Sequence, residues 1–180
     1  MGYIYEGTCH HGFLFSPYGG SDKQTTAASE FEILAPVSGE LVNLEKTNDP
    51  AFSSRAVGDG VAVVPQEGTV CAPVSGTVAA LFPTEHALGI MSDGSSAQVM
   101  LHIGIDTVKL EGKGFHALVA QGDHVDAGQP LVEVDFDVVR AAGFDPTVFV
   151  IVCERSENST LREHASGPVA VKEPVIWLSE

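Results

Sequence analysis

From Phe31 onward the apolar residues fall in short runs bounded by Gly, Pro, Asn, Asp and Ser. Read as strands, these runs are Glu32–Leu34, Gly39–Asn43, Val61–Val64, Thr69–Ala72, Gly76–Phe82, Ala87–Met91, Gln98–Ile103, Pro130–Val134, Val148–Cys153, Pro168–Val171 and Val175–Leu178. Their spacing and β-branched content argue an all-β chain, and no long segment carries an apolar repeat of 3.6 residues. Two short helices are expected, over Phe115–Ala120 and over Phe136–Ala142, the second stopped by Gly143 ahead of Pro146.

An internal repeat organises the strands. Ala35-Pro36-Val37-Ser38-Gly39 returns 37 residues later as Ala72-Pro73-Val74-Ser75-Gly76, and an apolar strand follows each copy. Pro-x-Ser-Gly makes a tight turn, so each copy reads as a strand–turn–strand unit. A related turn-rich stretch spans Gly122 to Leu131. The expected fold is an antiparallel β-sandwich or incomplete barrel of two similar halves, a duplicated motif carrying one or two short helices. Two copies are too few for a solenoid.

Composition narrows the function classes. Of 180 residues, 44% are hydrophobic and 18% charged, enough apolar material for one packed core. The net charge of −15 repels phosphate backbones and anionic membrane surfaces, which argues against nucleic acid as a partner and favours a basic protein. No apolar run reaches the roughly 20 residues of a membrane span. The start, Met1 to Gly7, lacks the pattern of a signal peptide. Three cysteines without a CxxC pair fit a reducing, cytoplasmic setting. Cys71 and Cys153 fall inside expected strands and read as inert packing residues. Residues 1–30 read as a tail or linker of unknown role, whose Cys9-His10-His11 is too few ligands for a structural zinc site.

Two of the seven histidines stand out. His102 lies in Val99-Met100-Leu101-His102-Ile103-Gly104-Ile105-Asp106, the most apolar stretch, where partial burial favours the neutral, nucleophilic imidazole. Gly104 allows close backbone approach beside it. His86 follows Thr84 by two residues, which places both on one side if the run is extended, with the hydroxyl then able to hold one ring nitrogen. Taken alone, each has a plainer reading that sequence favours: His102 as a core histidine satisfied by a carbonyl, His86 as an exposed loop residue. The chain has no His-x-His, no Gly-x-Ser-x-Gly elbow and no strand–helix setting for its Gly112-x-Gly114.

These motifs carry a resemblance. The sequence resembles the glucose-type IIA component of the bacterial sugar phosphotransferase system over roughly residues 31–180. It does so through Ile33–Val42, Val57–Ala62, Ala72–Thr77, Thr84-Glu85-His86-Ala87, Leu101-His102-Ile103-Gly104-Ile105-Asp106-Thr107-Val108, Leu110–Phe115 and Gly122–Val125. The resemblance implies a phosphocarrier without a cofactor. In it His102 accepts a phosphoryl group on Nε2 from phosphohistidine-HPr and passes it to a cysteine of the IIB domain for sugar uptake. It further implies that His86 stabilises the phosphoryl group and serves onward transfer, that Thr84 orients His86, and that the Gly104 carbonyl holds Nδ1 of His102. Asp49 and Asp106 match acidic positions that meet HPr, and Phe52, Val57, Phe82, Met100 and Val108 match the apolar docking surface. The partners implied are HPr and the IIB and IIC permease domains, with regulatory proteins as further targets. No metal is required, although two facing histidines could recruit zinc adventitiously.

Two other readings compete: a zinc metallopeptidase on a related duplicated β fold, and a non-catalytic regulatory module that has kept the fold alone. The first would need the missing His-x-His. The second would show no phosphate gain in the presence of enzyme I, HPr and phosphoenolpyruvate.

Overall fold

A computed structural model describes residues 30–179. The expected tail, with Cys9, His10 and His11, lies outside the described residues. Fourteen strands and two short helices follow in the order β1 (Phe31–Leu34), β2 (Gly39–Asn43), α1 (Pro50–Ser53), β3 (Asp59–Pro65), β4 (Thr69–Cys71), β5 (Gly76–Leu81), β6 (Ala87–Ser92) and β7 (Gln98–Ile103). After these come β8 (Phe115–Ala117), β9 (His124–Val125), β10 (Pro130–Val134), α2 (Phe136–Ala141), β11 (Val148–Glu154), β12 (Thr160–Glu163), β13 (Gly167–Val169) and β14 (Pro174–Ser179). Single 3-10 turns cover Leu44–Lys46 and Thr107–Leu110.

The strands form an eight-stranded antiparallel sheet, ordered β13-β2-β3-β11-β7-β6-β5-β9, and two three-stranded sheets, β1-β14-β12 and β4-β10-β8. The all-β, two-halved architecture read from the sequence is the one observed. One local expectation is corrected: Phe115–Ala120 is not helical. Residues 115–117 pair with β10 instead, Phe115 opposite Val134 and Ala117 opposite Val132. Gly112 and Gly114, both at φ +85°, turn the chain into that strand, and the burial of Phe115 against the core outweighs weak local helix preference.

The repeat is a pseudo-two-fold axis. Leu34 N–H donates to the Pro73 carbonyl and Cys71 N–H to the Pro36 carbonyl, each at 2.8 Å, so the two copies exchange equivalent bonds. Ser38 and Ser75 play matching parts, their Oγ atoms accepting Val171 N–H at 3.1 Å and Ala127 N–H at 2.9 Å. The turn before β10 is thereby the twin of the turn before β14. Gly128 sits at φ +81° in one, and its counterpart Lys172 is held at φ +71° in the other. The axis runs between β11 and β7, where β13-β2-β3-β11 meets its mirror order.

Alternation along β7 shows how the layers are used. Val99, Leu101 and Ile103 are buried in the main core beneath the two small sheets, while Gln98, Met100 and His102 face the other way. Strand β11 is buried on both faces along Val148–Val152, because residues 44–58 fold back over the outer face of the large sheet. There Leu44, Phe52, Ala62, Phe149 and Ile151 form a second, smaller core, with Met100 and Ile105 packed against it.

Candidate functional site

The rim of this smaller core is where the two histidines meet. His102, on β7, pairs with Ala87 of β6 on one side and Phe149 of β11 on the other. His86 immediately precedes β6, and its carbonyl accepts Ile103 N–H at 2.7 Å. The register therefore brings the rings together, with centroids 5.1 Å apart and planes at 87°. Phe52 and Phe149, stacked on each other at 4.2 Å, back His102 at 5.2 and 6.2 Å, and Phe82 stands edge-on to His86 at 5.7 Å.

Each ring has a defined tether or surrounding. The Thr84 hydroxyl lies 2.6 Å from Nδ1 of His86. His86 is only 5% exposed, so it is no loose loop residue, and burial pushes its pKa below the ordinary histidine value. For His102, burial and the neighbouring His86 bring the pKa down to about 4, against weaker opposing effects of the Gly104 backbone and Asp49. Nδ1 of His102 is sealed from solvent without a hydrogen-bond partner. The Gly104 carbonyl expected to bond it acts as a nearby dipole and stands outside hydrogen-bonding geometry. The downward shifts favour neutral imidazoles at pH 7, each with one N–H donor and one nitrogen lone pair.

Local backbone geometry explains the motif. Gly104 adopts φ +77°, and a Cβ there would meet the Thr107 side chain at 2.3 Å. Its N–H donates to the Thr147 carbonyl and that of Ile105 to the Asp145 carbonyl, both at 2.9 Å, so the chain after His102 is stitched to the start of β11. Glu85, between Thr84 and His86, sits at φ +58°, and its carboxylate accepts Ala117 N–H at 2.8 Å. That anchor holds the Thr84–His86 turn against β8.

The other expected residues are distributed around the pair. Asp49 caps α1 by accepting Ala51 N–H at 2.8 Å. Asp106 is exposed and ion-paired with Lys109 at 2.6 Å, a surface contact that a partner's cation can displace. Val57, Phe82 and Val108 are exposed and Met100 half-buried. Phe52, expected on the docking surface, is instead buried, because it plugs the smaller core and supports the histidine from beneath. Cys153, expected to be inert packing, is exposed. It sits at a break in the β11–β7 register and lines, with Ala80, Phe82, Gly89 and Met100, an apolar groove of about 190 Å³ beside the site. Sequence reading missed Glu85 and Phe149; the first has no local signal, and the second is hidden in a continuous apolar run.

Pseudo-symmetry shows why only one half carries the pair. Matching registers place Ile151, paired with Gly60 and Met100, where the other half has His102. Asp59 precedes Gly60 as His86 precedes Ala87, and it is engaged by Arg55 at 3.2 Å and Arg155 at 3.0 Å. The twin position is closed by an aliphatic side chain and an ion pair. Among the described residues, no three His, Cys, Asp or Glu side chains gather as a metal-binding group, so the ligand set of a zinc peptidase is not assembled there.

A model of the family described as phosphoenolpyruvate-dependent sugar phosphotransferase system, EIIA 1, matches residues 31–158. The chain belongs to this family. It is 40% identical over 169 residues, 93% of its length, to the beta-glucoside-specific EIIBCA component of Bacillus subtilis, and covers 28% of that protein. It is 46% identical over 115 residues, 64% of its length, to the N-acetylglucosamine-specific EIICBA component of Escherichia coli, and covers 18% of it. The chain thus spans about a quarter or less of these relatives. Among solved structures, the glucose permease IIA from Mycoplasma capricolum superposes with a TM-score of 0.76 at 35% identity, covering 83% of this chain and 96% of that one. As an EIIA domain, the chain is a component of a sugar phosphotransferase system, and its antiparallel β-sandwich is the fold of the glucose-type IIA protein. Among the described residues no helix is long and apolar enough to cross a membrane.

Proposed function

We propose that this EIIA domain is a phosphohistidine carrier in which Nε2 of His102 accepts the phosphoryl group of phosphohistidine-HPr and hands it to a cysteine of a IIB domain. The observation that carries this reading is the meeting of two neutral imidazoles at 5.1 Å, one of them tethered through Nδ1 to Thr84. In the step, the lone pair of Nε2 attacks phosphorus while the donor's N–P bond breaks and its electron pair leaves with the donor imidazole. Transfer between two nitrogens calls for in-line positioning and charge neutralisation, with little proton chemistry. His86, with Nδ1 engaged by Thr84, keeps Nε2 for the phosphoryl oxygens.

The surroundings suit the task. The exposed Val57, Phe82 and Val108 give a partner an apolar landing surface, and Asp49 and Asp106 give a basic donor its charge complement. Phosphorylation adds roughly −1.5 to −2 charges near Asp106, which weakens its attraction for a further phosphorylated donor and favours release. In this reading the carrier occupies residues 31–180, residues 1–30 are a tail or linker, and the domain works in the cytoplasm with HPr and the IIB and IIC permease domains. Incubation with phosphoenolpyruvate, enzyme I and HPr tests it by mass spectrometry of the intact protein. Wild type gains one phosphate, His102→Gln gains none, and His86→Gln accepts phosphate but does not pass it to IIB. An acid-labile phosphate on His102→Gln would refute the assignment.

A further inference from the structure

Residues 44–58 leave the large sheet after β2, cross its outer face and rejoin it at β3, carrying Phe52 against His102 and Asp49 close enough to act on its charge. Their regular structure amounts to one 3-10 turn and one α-helical turn, too little to hold a shape without tertiary contacts. Leu44 and Phe52 are their buried anchors. Near the far end stands Arg55, at φ +57°, a left-handed conformation unusual for a long side chain.

The guanidinium of Arg55 joins three carboxylates from different parts of the fold. Nε donates to Glu45 at 2.6 Å, within the segment itself. Nη1 donates to Asp59 at 3.2 Å, at the start of β3. Nη1 and Nη2 together grip Glu163 on β12 at 2.6 and 3.0 Å. The arrangement closes both ends of the segment onto each other and ties them to a small sheet. The two-pronged contact with Glu163 is between partly buried groups, where charge-assisted bonds are strong and geometrically selective. Arg55 N–H also donates to the Phe52 carbonyl at 2.9 Å, so the clamp is one short bond from the residue whose ring backs His102.

We propose that Arg55 is a positioning residue for the histidine centre: its clamp on Glu45, Asp59 and Glu163 holds residues 44–58 closed, and so keeps Phe52 in place against His102 and Asp49 near it. A lysine replaces it only in part, because a point ammonium keeps the charge but cannot satisfy three carboxylates in a planar fork. This inference sets a mechanical role within the carrier reading and rests on that reading for its consequence in transfer. Its physical part, a closed segment that dries His102, is measurable without any phosphoryl donor.

The test uses the full chain as wild type, Arg55→Gln, Arg55→Lys and Glu163→Gln. Amide exchange is followed at Ser53, Ser54 and Arg55, whose N–H groups bond back within the turn, with Leu101 on β7 as the reference for global opening. The His102 titration is followed by NMR; the charged and titratable groups acting on it are His86 and Asp49, beside the Gly104 backbone dipole. Arg55→Gln is expected to speed exchange at the three amides by about tenfold or more, with Leu101 unchanged, from the loss of charge-assisted bonds. It is also expected to raise the His102 midpoint by about one pH unit as water reaches the ring. Arg55→Lys and Glu163→Gln give smaller changes in the same direction, and Glu163→Gln decides the matter if Arg55→Gln does not fold. Exchange at the three amides and a His102 midpoint both unchanged in a folded variant would overturn the proposal and leave Arg55 a stabilising residue only. Loss of phosphate gain in wild type would sink the carrier reading and leave this result standing.

Discussion

Suppressing the protonation of His102 has a cost that appears in stability against pH. Its folded pKa is about 4, where an ordinary histidine has 6.5. Between those values the unfolded chain binds the proton that the folded chain refuses, so acid favours unfolding and the stability contribution falls as pH falls from 6.5 toward 4. Going from pH 7 to pH 4, linkage at this one site removes about 3 kcal/mol. His102→Gln removes the titration while keeping a polar side chain of similar bulk. The variant is therefore expected to lose about 3 kcal/mol less than wild type over that interval, which is a difference of roughly 1.5 M in urea midpoint shift for a slope near 2 kcal/mol/M. Urea unfolding at pH 7, 5.5 and 4, followed by fluorescence and circular dichroism, reads it directly. The carboxylates common to both proteins cancel in the comparison. Parallel loss of stability in the two proteins, or an NMR midpoint for His102 near 6.5, would refute the claim that the ring is held neutral by burial.

Three further predictions concern the supports of the site. Phe52→Ala empties the smaller core beneath His102 and is expected to cost about 3–5 kcal/mol while raising the His102 midpoint, as measured by denaturation and NMR titration. Gly104→Ala places a Cβ against Thr107 at 2.3 Å with φ at +77°, so thermal unfolding should show a loss of about 2–4 kcal/mol. Thr84→Val leaves Nδ1 of His86 without its 2.6 Å partner; it is expected to cost about 1–2 kcal/mol in denaturation and to slow onward transfer to IIB more than acceptance from HPr in a two-step assay.

Much of this protein is legible along the chain because strands have a period of two. The alternation in Gln98–Ile103 places His102 opposite Val99, Leu101 and Ile103, and the observed strand buries those three and leaves His102 at the rim. The Ala-Pro-Val-Ser-Gly repeat marks two equivalent turns, since proline acts on the local backbone, and the structure uses both copies in the same way, although each serine bonds a distant turn that the repeat does not announce. Thr84 and His86 also come together, but through a turn with Glu85 at φ +58° and not through the extended run that their spacing suggested.

What the chain could not show locally is everything made of contacts between distant segments. Residues 115–117 have no strong local preference, and β10 recruits them as a strand. Phe149 reads as one more core residue in an apolar run, yet the β11–β7 register places it beside His102. The short segment over residues 44–58 acquires its position from Phe52 beneath it and from Arg55 reaching Glu163, residues that no sequence periodicity connects. Side-chain alternation is a property of each strand alone, and the sequence determines it. Which strands lie side by side, and hence which two imidazoles share a rim, is decided by the burial of both faces at once, and only the tertiary structure records that.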